Sequence, residues 1–345
     1  MKVVSIGGGT GLSTVLRGLK MHLAEPWRPA QYQPNISRLV AIVTVTDEGG
    51  SSGRLRRDFR ILPPGDIRNC LVALAEDEML LTRLFNYRFA EGRGLKGHNL
   101  GNLLLAALTD LTRDFAHAVK LSSGVLAIRG EIFPSTLSDV RLKARLRNGQ
   151  TLFGESEITK TRAPIQRLYL IPGRCRPLPE TLKAIEQADL ITVGPGSLYT
   201  SLIPNLLVRG IPEAIARSKA LKAYIANLMT QPGETRGYTA SDHLRALNEH
   251  AGRRLFDVVI LNTRRLSSSL RKRYGAQRAE PVLNDIREIK ALGVKPVLAE
   301  LLEEDHVARH DSRRLAQILL DLAGQGLHVE AASTRHTARR KAAGR

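Results

Sequence analysis

Short runs of apolar, mostly β-branched residues recur along the chain and constrain its fold more than any other feature. The predicted strands are Val3–Ile6, Leu39–Val45, Leu168–Ile171, Leu190–Val193, Ala223–Leu228 and Asp257–Asn262. Runs that are apolar on both sides are typical of parallel sheets covered by helices on both faces. Because helical segments alternate with these runs, we predict the α/β class, with a Rossmann-like, mostly parallel sheet and right-handed crossovers.

The segment from about 119 to 160 has a different pattern. Arg141, Lys143, Arg145 and Arg147 alternate with leucine and alanine. Asn148-Gly149 is a strong signal for a type I′ hairpin. This pattern predicts a small antiparallel insertion with one basic, solvated face. Nucleic acid is an alternative partner for that face, but aromatic residues make up only 4% of the chain, which favours a plain solvated surface.

The length of 345 residues is enough for one large α/β domain or two smaller ones. We predict a single domain over residues 1–325. Residues 331–345 carry five Arg or Lys and no acid, and we expect them to form a disordered basic tail. The formal net charge of +19 favours anionic partners, such as phosphorylated small molecules, nucleic acid or a membrane surface.

The cysteines and the hydropathy pattern point to a cytoplasmic protein. Cys70 and Cys175 have no CxxC spacing, so we expect two buried thiols rather than a disulfide framework or a zinc site. No stretch approaches the roughly 18 apolar residues of a membrane span. The apolar run at the first residues is too short for a signal peptide.

The first predicted strand runs directly into a glycine-rich turn, "GGGTG" at Gly7–Gly11, which precedes a predicted helix from about Ser13. The turn is not a dinucleotide fingerprint, because Leu12 or Thr14 stands where the third glycine is needed. It is not a Walker loop either, because it has no lysine. Glycines still let the backbone approach a ligand closely, and N–H groups at a helix start attract anions. We therefore predict phosphate or nucleotide contacts from Gly8, Gly9, Thr10, Gly11 and Ser13, with a merely tight turn as the alternative.

The second predicted strand leads into a long segment, "TDEGGSSGRLRRDFRILPPGDIRNC", that we predict to be a functional loop. Asp47 and Glu48 are candidates for holding a divalent metal or a ribose. Ser51 offers a hydroxyl, and the four arginines at 54, 56, 57 and 60 suit phosphates. Asp66 is either the N-cap of the next helix or, together with Asp47, a ligand of a magnesium ion.

Two later segments repeat this combination of glycine and polar residues. In "GHNLGN", the side chains of His98, Asn99 and Asn102 stand at the start of an apolar helix, where they either cap it or face a ligand. In "GPGS", a buried strand ends at Gly194 and a helix follows Ser197, which is a second strand–glycine–helix phosphate geometry. Two such turns predict one crevice between the halves of the sheet. Tyr199 and Asn205 follow as candidates to reach a base or a sugar.

The chain resembles the YvcK/CofD-like family, and within it the gluconeogenesis factor branch, over roughly residues 2 to 325. The resemblance rests on five ordered blocks: "GGGTG" at Gly7–Gly11, "TDEGGSSGRLR" at Thr46–Arg56, "GDIRNC" at Gly65–Cys70, "GHNLGN" at Gly97–Asn102 and "GPGSLYTSLIPNLLV" at Gly194–Val208. These blocks add Thr46, Asn69 and Gly196 to the expected ligand contacts. Many members carry Asp-Asp where this chain has Asp47-Glu48, so a metal role is expected of Asp47 rather than Glu48.

The resemblance implies a CofD-like fold and a choice of functions. CofD proteins transfer a lactyl-phosphate-type group from a nucleotide diphosphate and use magnesium. The other branch resembles binders of nucleotide sugars such as UDP-N-acetylglucosamine and is linked to cell shape and envelope synthesis on gluconeogenic carbon sources. The expectation is a homodimeric nucleotide-sugar-binding protein, with a magnesium-dependent transferase as one alternative and a nucleic-acid-binding protein as a less favoured one. Whether it is an enzyme stays open.

Overall fold

The computed structural model describes residues 1–24, 36–76 and 79–325. The basic tail predicted for 331–345 lies outside these residues. The centre of the fold is a seven-stranded sheet in which every neighbouring pair is parallel. The strands are β1 (Lys2–Gly7), β2 (Arg38–Val43), β3 (Glu131–Pro134), β4 (Arg141–Leu146), β5 (Thr151–Phe153), β6 (Ile165–Ile171), β7 (Leu190–Val193), β8 (Leu221–Ile225), β9 (Val258–Asn262), β10 (Lys295–Ala299), β11 (Leu302–Glu304) and β12 (Ala308–His310).

Helices follow most of the strands and cover the sheet. They are α1 (Gly9–Lys20), α2 (Gly50–Phe59), α3 (Gly65–Leu74), α4 (Met79–Asn86), α5 (Leu100–Thr112), α6 (Phe115–Val125), α7 (Glu155–Lys160), α8 (Pro179–Glu186), α9 (Ile203–Leu206), α10 (Ile211–Arg217), α11 (Ala240–Ala251), α12 (Ser268–Ala276), α13 (Ile286–Ala291) and α14 (Ser312–Gly324). A π-helical turn, Leu198–Leu202, precedes α9. None of the helices in the described ranges is long and apolar enough to cross a membrane.

The strand order of the large sheet is β10-β9-β8-β7-β1-β2-β3, which confirms the predicted Rossmann-like class. The chain moves outward from β1 through β2 to β3, and later builds the other half from β7 through β10. The order therefore reverses between β1 and β7. In open α/β sheets ligands bind outside the carboxyl ends of the strands at such a switch point. The two glycine-rich turns follow β1 and β7, so both lie there.

One predicted strand forms, but it belongs to a different sheet from the one predicted. The run Leu168–Ile171 forms the second half of β6, and β6 pairs with β4 in an antiparallel three-stranded sheet of order β5-β4-β6. Exposed residues alternate with buried ones along β6, as is typical of a sheet with one wet face. The antiparallel strands thus span 141–171, whereas the predicted insertion covered about 119–160; β3, inside that range, belongs to the large sheet.

The hairpin between β4 and β5 forms at the predicted Asn148-Gly149, but it is not a type I′ turn. A type I′ turn needs positive φ at both central residues. Gly149 has a φ of +88°, while Asn148 is absent from the described non-glycine residues with positive φ. The Gly149 N–H donates to the Leu146 carbonyl at 3.0 Å and closes the turn.

The prediction of a long loop after Thr46 was also wrong, because the helix α2 forms within that segment. Its glycines, serines and charges indicated a loop. The helix nevertheless buries Ser51, Ser52, Gly53, Leu55 and Arg56 against its neighbours. Tertiary packing therefore overrides a weak local helix preference here. Both cysteines are buried free thiols, as predicted.

Candidate functional site

The two glycine-rich turns touch each other at the switch point of the sheet. A Cβ on Gly11 would lie 2.2 Å from the carbonyl oxygen of Pro195, and one on Gly196 would lie 3.6 Å from the carbonyl oxygen of Gly8. No side chain fits at Gly11 without moving backbone. The glycines thus have a packing role of their own, which is to let the β1 and β7 turns approach each other.

The helix after β1 begins four residues earlier than predicted. Gly8 is its N-cap, and Gly9 has a φ of +62°, a conformation that favours glycine. Gly9, Thr10, Gly11 and Ser13 therefore lie within α1. The Ser13 hydroxyl is buried and donates to the Gly9 carbonyl at 3.1 Å, so it braces the helix start. Thr10 is exposed and is available to a ligand.

The turn after β7 is fixed by side chains from the segment after β8. The Gly196 N–H donates to the Asn227 side-chain oxygen at 3.1 Å, and the Asn227 amide donates back to the Gly196 carbonyl at 2.8 Å. The Gln231 amide donates to the Ser197 hydroxyl at 2.7 Å. Gly194 has a φ of +84° and its turn passes close to the Ile225 carbonyl. Reciprocal bonds of this kind hold a loop in one shape.

A pocket of about 300 Å³ opens beside the contact between the two turns. We call it the cationic pocket; it is lined by Thr10, Gly11, Thr14, Arg17, Pro195, Gly196, Ser197, Asn227, Leu228, Met229, Gln231, Tyr274, Ala308, Arg309 and His310. Its residues come from both halves of the sheet and from β12. Thr10, Thr14 and Arg17 follow one another at helical spacing on one face of α1.

Two guanidinium groups give this pocket its positive charge. Burial lowers the pKa of Arg17, and the like charge of Arg309 lowers it further, while Glu303 partly compensates. The ring of His310 is buried, and burial lowers its pKa to about 4, so it is neutral at pH 7. The Tyr274 hydroxyl accepts a hydrogen bond from the Ala308 N–H at 3.0 Å, which ties α12 to β12.

Sequence reasoning missed Arg17, Tyr274, Arg309 and His310. The spacing of Arg17 from Thr10 was a usable signal, because residues seven apart share a helix face. Tyr274 and Arg309 carried none, since they lie in the last third of the chain without a glycine motif around them. Only the tertiary fold brings them to the turns.

A second group of side chains lies on the other side of the start of α1. We call Asp47, Asp66 and Glu155 the carboxylate cluster. The Gly9 N–H donates to the carboxylate of Asp66, so Asp66 braces α1 instead of capping its own helix, whose N-cap is Pro64. Asp47 accepts from the Gly49 N–H at 2.8 Å, and a Cβ on Gly65 would lie 2.2 Å from its carboxylate.

Two acids of this cluster, Asp66 and Glu155, hold protons more tightly than isolated acids do. Burial raises the pKa of Asp66 to about 7, with the charge of Asp47 as the second cause. Burial raises the pKa of Glu155 to about 8, and again Asp47 is the second cause. Glu155 was not predicted; its carboxylate accepts from the Glu48 N–H at 2.7 Å, and its own N–H donates back to Glu48 at 3.1 Å.

The predicted residues of "SSGR" and "GHNLGN" pack against each other beside the cluster. The Ser51 hydroxyl and the His98 Nδ1 are 3.0 Å apart, and the Asn99 N–H donates to the same hydroxyl at 3.3 Å. Asn99 caps α5 by accepting from the Asn102 N–H, and Arg54 donates to the Lys96 carbonyl at 2.8 Å. Burial lowers the pKa of His98, with the positive charge of Arg54 as the second cause. These contacts hold α2 to the start of α5.

Three further predicted residues have structural partners. Asn205 is completely buried and its amide donates to the Gly7 carbonyl at 3.1 Å, so it anchors the end of β1 rather than reaching a base or sugar. The Thr46 hydroxyl donates to the Thr200 carbonyl at 3.2 Å. The Asn69 oxygen accepts from Arg68 at 2.5 Å.

Arg56, expected to face phosphate, is buried as well. It binds the Asp139 carboxylate and donates to the Val140 carbonyl at 2.6 Å. Its charge therefore ties α2 to the start of β4. Arg57 and Arg60 are exposed at the end of α2.

A larger cavity, of about 920 Å³, lies between β6 and α11. Arg147, Arg162, Arg236 and Arg245 line it together with acidic residues, and Tyr199 forms part of its wall. The Tyr199 hydroxyl is 2.8 Å from that of Tyr238. The glycine-rich turns do not contribute to its lining.

Comparison with known proteins agrees with this architecture. The family model described as "2-phospho-L-lactate transferase CofD" matches residues 3–302. A "Gluconeogenesis factor" of Bacillus subtilis (strain 168) is 46% identical over 93% of this chain and 98% of its own length. One of Halalkalibacterium halodurans is 47% identical over 92% of this chain and 95% of its own length.

A crystal structure of a UPF0052 family member from Bacillus halodurans superposes with a TM-score of 0.86. It is 46% identical in sequence and covers 92% of this chain and 98% of its own. The family model matches most of the chain, and the two gluconeogenesis factors are similar to it over almost their whole length. The chain therefore belongs to the CofD family, in its gluconeogenesis factor (YvcK) branch.

Proposed function

We propose that this protein is a cytoplasmic nucleotide-sugar-binding regulator that binds UDP-N-acetylglucosamine or a close relative in the cationic pocket. The observation that carries the proposal is the meeting of two glycine-rich turns and two arginines around one cavity. A diphosphate needs N–H donors and cations at close range, and this cavity offers both. Hydroxyls of Thr10, Thr14 and Ser197 suit a sugar, and the Tyr274 ring suits a base.

The electrostatics of Arg17 and Arg309 support an anionic ligand. The two side chains influence each other as like charges, and no hydrogen bond or ion pair of the Arg309 side chain with an acid is present in the described part of the chain. An anion bound between them would relieve that repulsion. Charge-assisted hydrogen bonds to phosphate are about twice as strong as neutral ones.

The physiological role proposed here follows the resemblance and the names of the relatives. A sensor of a nucleotide sugar used for the cell envelope would link envelope synthesis, and so cell shape, to growth on gluconeogenic carbon sources. Such a role requires ligand binding without consumption of the ligand. The homodimer expected from the sequence stays a prediction.

Isothermal calorimetry with UDP-N-acetylglucosamine tests the binding. We expect Arg309→Gln to weaken the affinity about tenfold or more, because a hydrogen bond to a charged group contributes roughly 1.5–3 kcal/mol. Arg287→Gln, an exposed arginine on α13, is the matched control and should leave the affinity unchanged. Equal affinities of wild type and Arg309→Gln would remove the ligand from this pocket.

The carboxylate cluster favours a second candidate, a magnesium-dependent transferase of a phosphoryl-linked group. Asp47 and Asp66 would hold the ion, and their mutual repulsion is the kind that a divalent cation relieves. Within the described residues, no three or more His, Cys, Asp or Glu side chains are arranged to hold a metal by themselves. The two carboxylates suit magnesium only if phosphate and water oxygens complete its shell.

In the transferase candidate, the metal and the two carboxylates would have separate roles. Bound magnesium would neutralise the charge that develops on a leaving nucleotide diphosphate. Asp66 would orient the start of α1 through the Gly9 N–H. Release of UDP from a UDP-sugar in millimolar magnesium, measured by chromatography, separates the two candidates. Turnover supports the transferase, and binding without turnover supports the regulator.

A further inference from the structure

The antiparallel sheet β5-β4-β6 turns one face into the core and leaves the other exposed. Leu142, Ala144, Leu146, Leu168 and Leu170 are buried. The outward positions, which we call the basic sheet face, are Arg141, Lys143, Arg145, Thr151, Phe153, Arg167, Tyr169 and Ile171. Four of these eight positions are cationic and none is acidic.

The strand register places these side chains in rows across the sheet. Lys143 lies opposite Phe153 on β5 and opposite Tyr169 on β6. Directly opposed residues share a face, so Lys143 lies between Phe153 and Tyr169 in one row. Its ammonium group contacts the Phe153 ring. It lies 5.8 Å from the centre of the Phe153 ring, within the range of a cation–π contact. Because strands are about 4.8 Å apart, the two aromatic residues are separated by roughly 10 Å.

The next row opposes two arginines. Arg145 on β4 pairs directly with Arg167 on β6. Like charges directly opposite each other destabilise a sheet. Among the residues that the structure describes, no acidic side chain forms an ion pair with either arginine. The pairing of Arg145 with Arg167 does not stabilise the protein alone. A polyanion bound to this face would make the same pairing favourable.

Both aromatic residues of this face are exposed to solvent. Phe153 is 60% exposed and Tyr169 39% exposed. The chain has few aromatic residues, so their position beside four cations is informative. Base–aromatic stacking with a basic surface that follows the backbone is how proteins hold single strands without strong sequence preference. A sheet face with exposed rings is also how RRM domains, which have four strands, stack the bases of single-stranded RNA.

We propose that the basic sheet face binds single-stranded nucleic acid, with bases stacked on Phe153 and Tyr169 and phosphates held by Arg141, Lys143, Arg145 and Arg167. The surface is distinct from the cationic pocket, whose lining contains none of these residues. A duplex is a poor partner, because its bases are stacked on each other and cannot reach the rings.

Fluorescence anisotropy of the full chain with fluorescein-labelled 15-nucleotide oligo(U) and oligo(dT) tests this proposal. Binding is expected for both, with a weaker signal from a 15-base-pair duplex. Four phosphate contacts predict a log–log slope of affinity against salt of about −3. Phe153→Ala and Tyr169→Ala should each weaken binding about fivefold or more, and leave that slope unchanged.

A double variant of the two opposed arginines tests whether binding depends on this face or only on the net charge of the protein. Arg145→Gln with Arg167→Gln should weaken oligonucleotide binding and reduce the salt slope by roughly 1.4. It should also raise the melting temperature, because the opposed pair is gone, so the loss of binding is not a loss of folding. Arg287→Gln with Lys290→Gln on α13 removes the same charge elsewhere and should change the affinity less than twofold.

Three results would overturn the proposal. One is no binding of either oligonucleotide at low salt. Another is equal weakening by the α13 control, which would leave only net charge as the cause. The third is binding of vesicles with 30% anionic lipid that is lost in Phe153→Ala while oligonucleotide binding persists. UDP-N-acetylglucosamine affinity, measured on the same variants, should stay at the wild-type value, so a failure here leaves the pocket assignment standing.

Discussion

The cationic pocket and the carboxylate cluster flank the same helix start, yet they have opposite electrostatic character. In the cationic pocket, Arg17 in the last turn of α1 and Arg309 on β12 repel each other, so the pocket suits an anion. In the carboxylate cluster, Asp66 and Glu155 have raised pKa values because they are buried and, second, because the charge of Asp47 is close. The pocket can bind a phosphate as it is. The carboxylate cluster repels a phosphate until a cation binds to the cluster. The pocket can therefore bind a phosphate directly, whereas the cluster can do so only through a bound cation.

The largest expected loss of stability and of ligand binding is that of Gly11→Ala, on the side of the cationic pocket. Gly11→Ala places a Cβ 2.2 Å from the Pro195 carbonyl, so two backbone turns must separate. We expect a loss of about 1–3 kcal/mol in the free energy of unfolding and a loss of UDP-sugar binding of at least tenfold. Urea denaturation and calorimetry measure the two quantities.

Gly8→Ala provides the comparison on the side of the carboxylate cluster. Its Cβ would meet the tip of the Asp66 side chain at 2.5 Å and the Thr44 methyl group at 2.7 Å. Side-chain tips move more easily than backbone, so this loss of stability should be smaller than that of Gly11→Ala. Gly124→Ala, with open space around its Cβ, is the control and should not destabilise. The reverse order of Gly8→Ala and Gly11→Ala would contradict the packing argument.

The next effect concerns magnesium. Asp47→Asn should leave UDP-sugar affinity in excess chelator unchanged and remove the gain in affinity that millimolar magnesium gives to the wild type. A tenfold gain corresponds to about 1.4 kcal/mol. Calorimetry in the two buffers measures it, and Asp58→Asn, an exposed acid on α2, is the control. A wild-type affinity that is the same in chelator and magnesium would show that the cluster holds no metal.

A pH dependence of stability follows from the raised pKa of Glu155. The folded protein keeps a proton on Glu155 up to about pH 8, whereas the unfolded chain releases it above about pH 4. The free energy of unfolding therefore falls as pH rises from about 4 to about 8. Glu155→Gln should match the wild type at pH 5 and melt roughly 2 °C higher at pH 8.5.

The control for this experiment is Glu157→Gln, an exposed acid on the same helix α7. It should shift the melting temperature equally at both pH values. If Glu155→Gln is less stable than the wild type at pH 8.5, the reciprocal contact with Glu48 outweighs the electrostatic cost of the cluster. Melting curves followed by circular dichroism decide between these results.

The smallest effect is expected at Arg54. Its guanidinium donates to the Lys96 carbonyl, so it holds α2 against the segment before α5. Arg54→Gln should change UDP-sugar affinity less than about threefold, which corresponds to roughly 0.6 kcal/mol. A tenfold loss would move the phosphate site toward the carboxylate cluster and away from Arg309.

The sequence was enough to predict the parallel sheet, because buried strands and their alternation with helices are local patterns. It also located both turns of the switch point, since glycine runs after strands are visible without a fold. It did not predict that α2 forms in a glycine- and serine-rich segment. The contacts that stabilise this helix join residues distant in sequence: Leu55 packs against Ala106 of α5, and Arg56 pairs with Asp139.

The site was harder to predict for the same physical reason. Asn205 lies within a motif block and Ser13 lies just after another, but the fold uses both side chains to satisfy carbonyl groups of the first turn. Arg309 and Tyr274 lack any motif, and only β12 and α12 bring them to the pocket. Glu155 joins Asp47 because the start of α7 forms reciprocal hydrogen bonds with Glu48, the residue after Asp47. Local patterns reveal the turns, whereas long-range packing decides which side chains surround them.

A crystal structure of the protein soaked with UDP-N-acetylglucosamine and magnesium tests the central claim most directly. We predict that the diphosphate lies in the cationic pocket, beside Gly11 and Gly196 and within hydrogen-bond distance of Arg309. Density for the ligand in the cavity lined by Arg147 and Arg245, with none in the cationic pocket, would contradict the assignment.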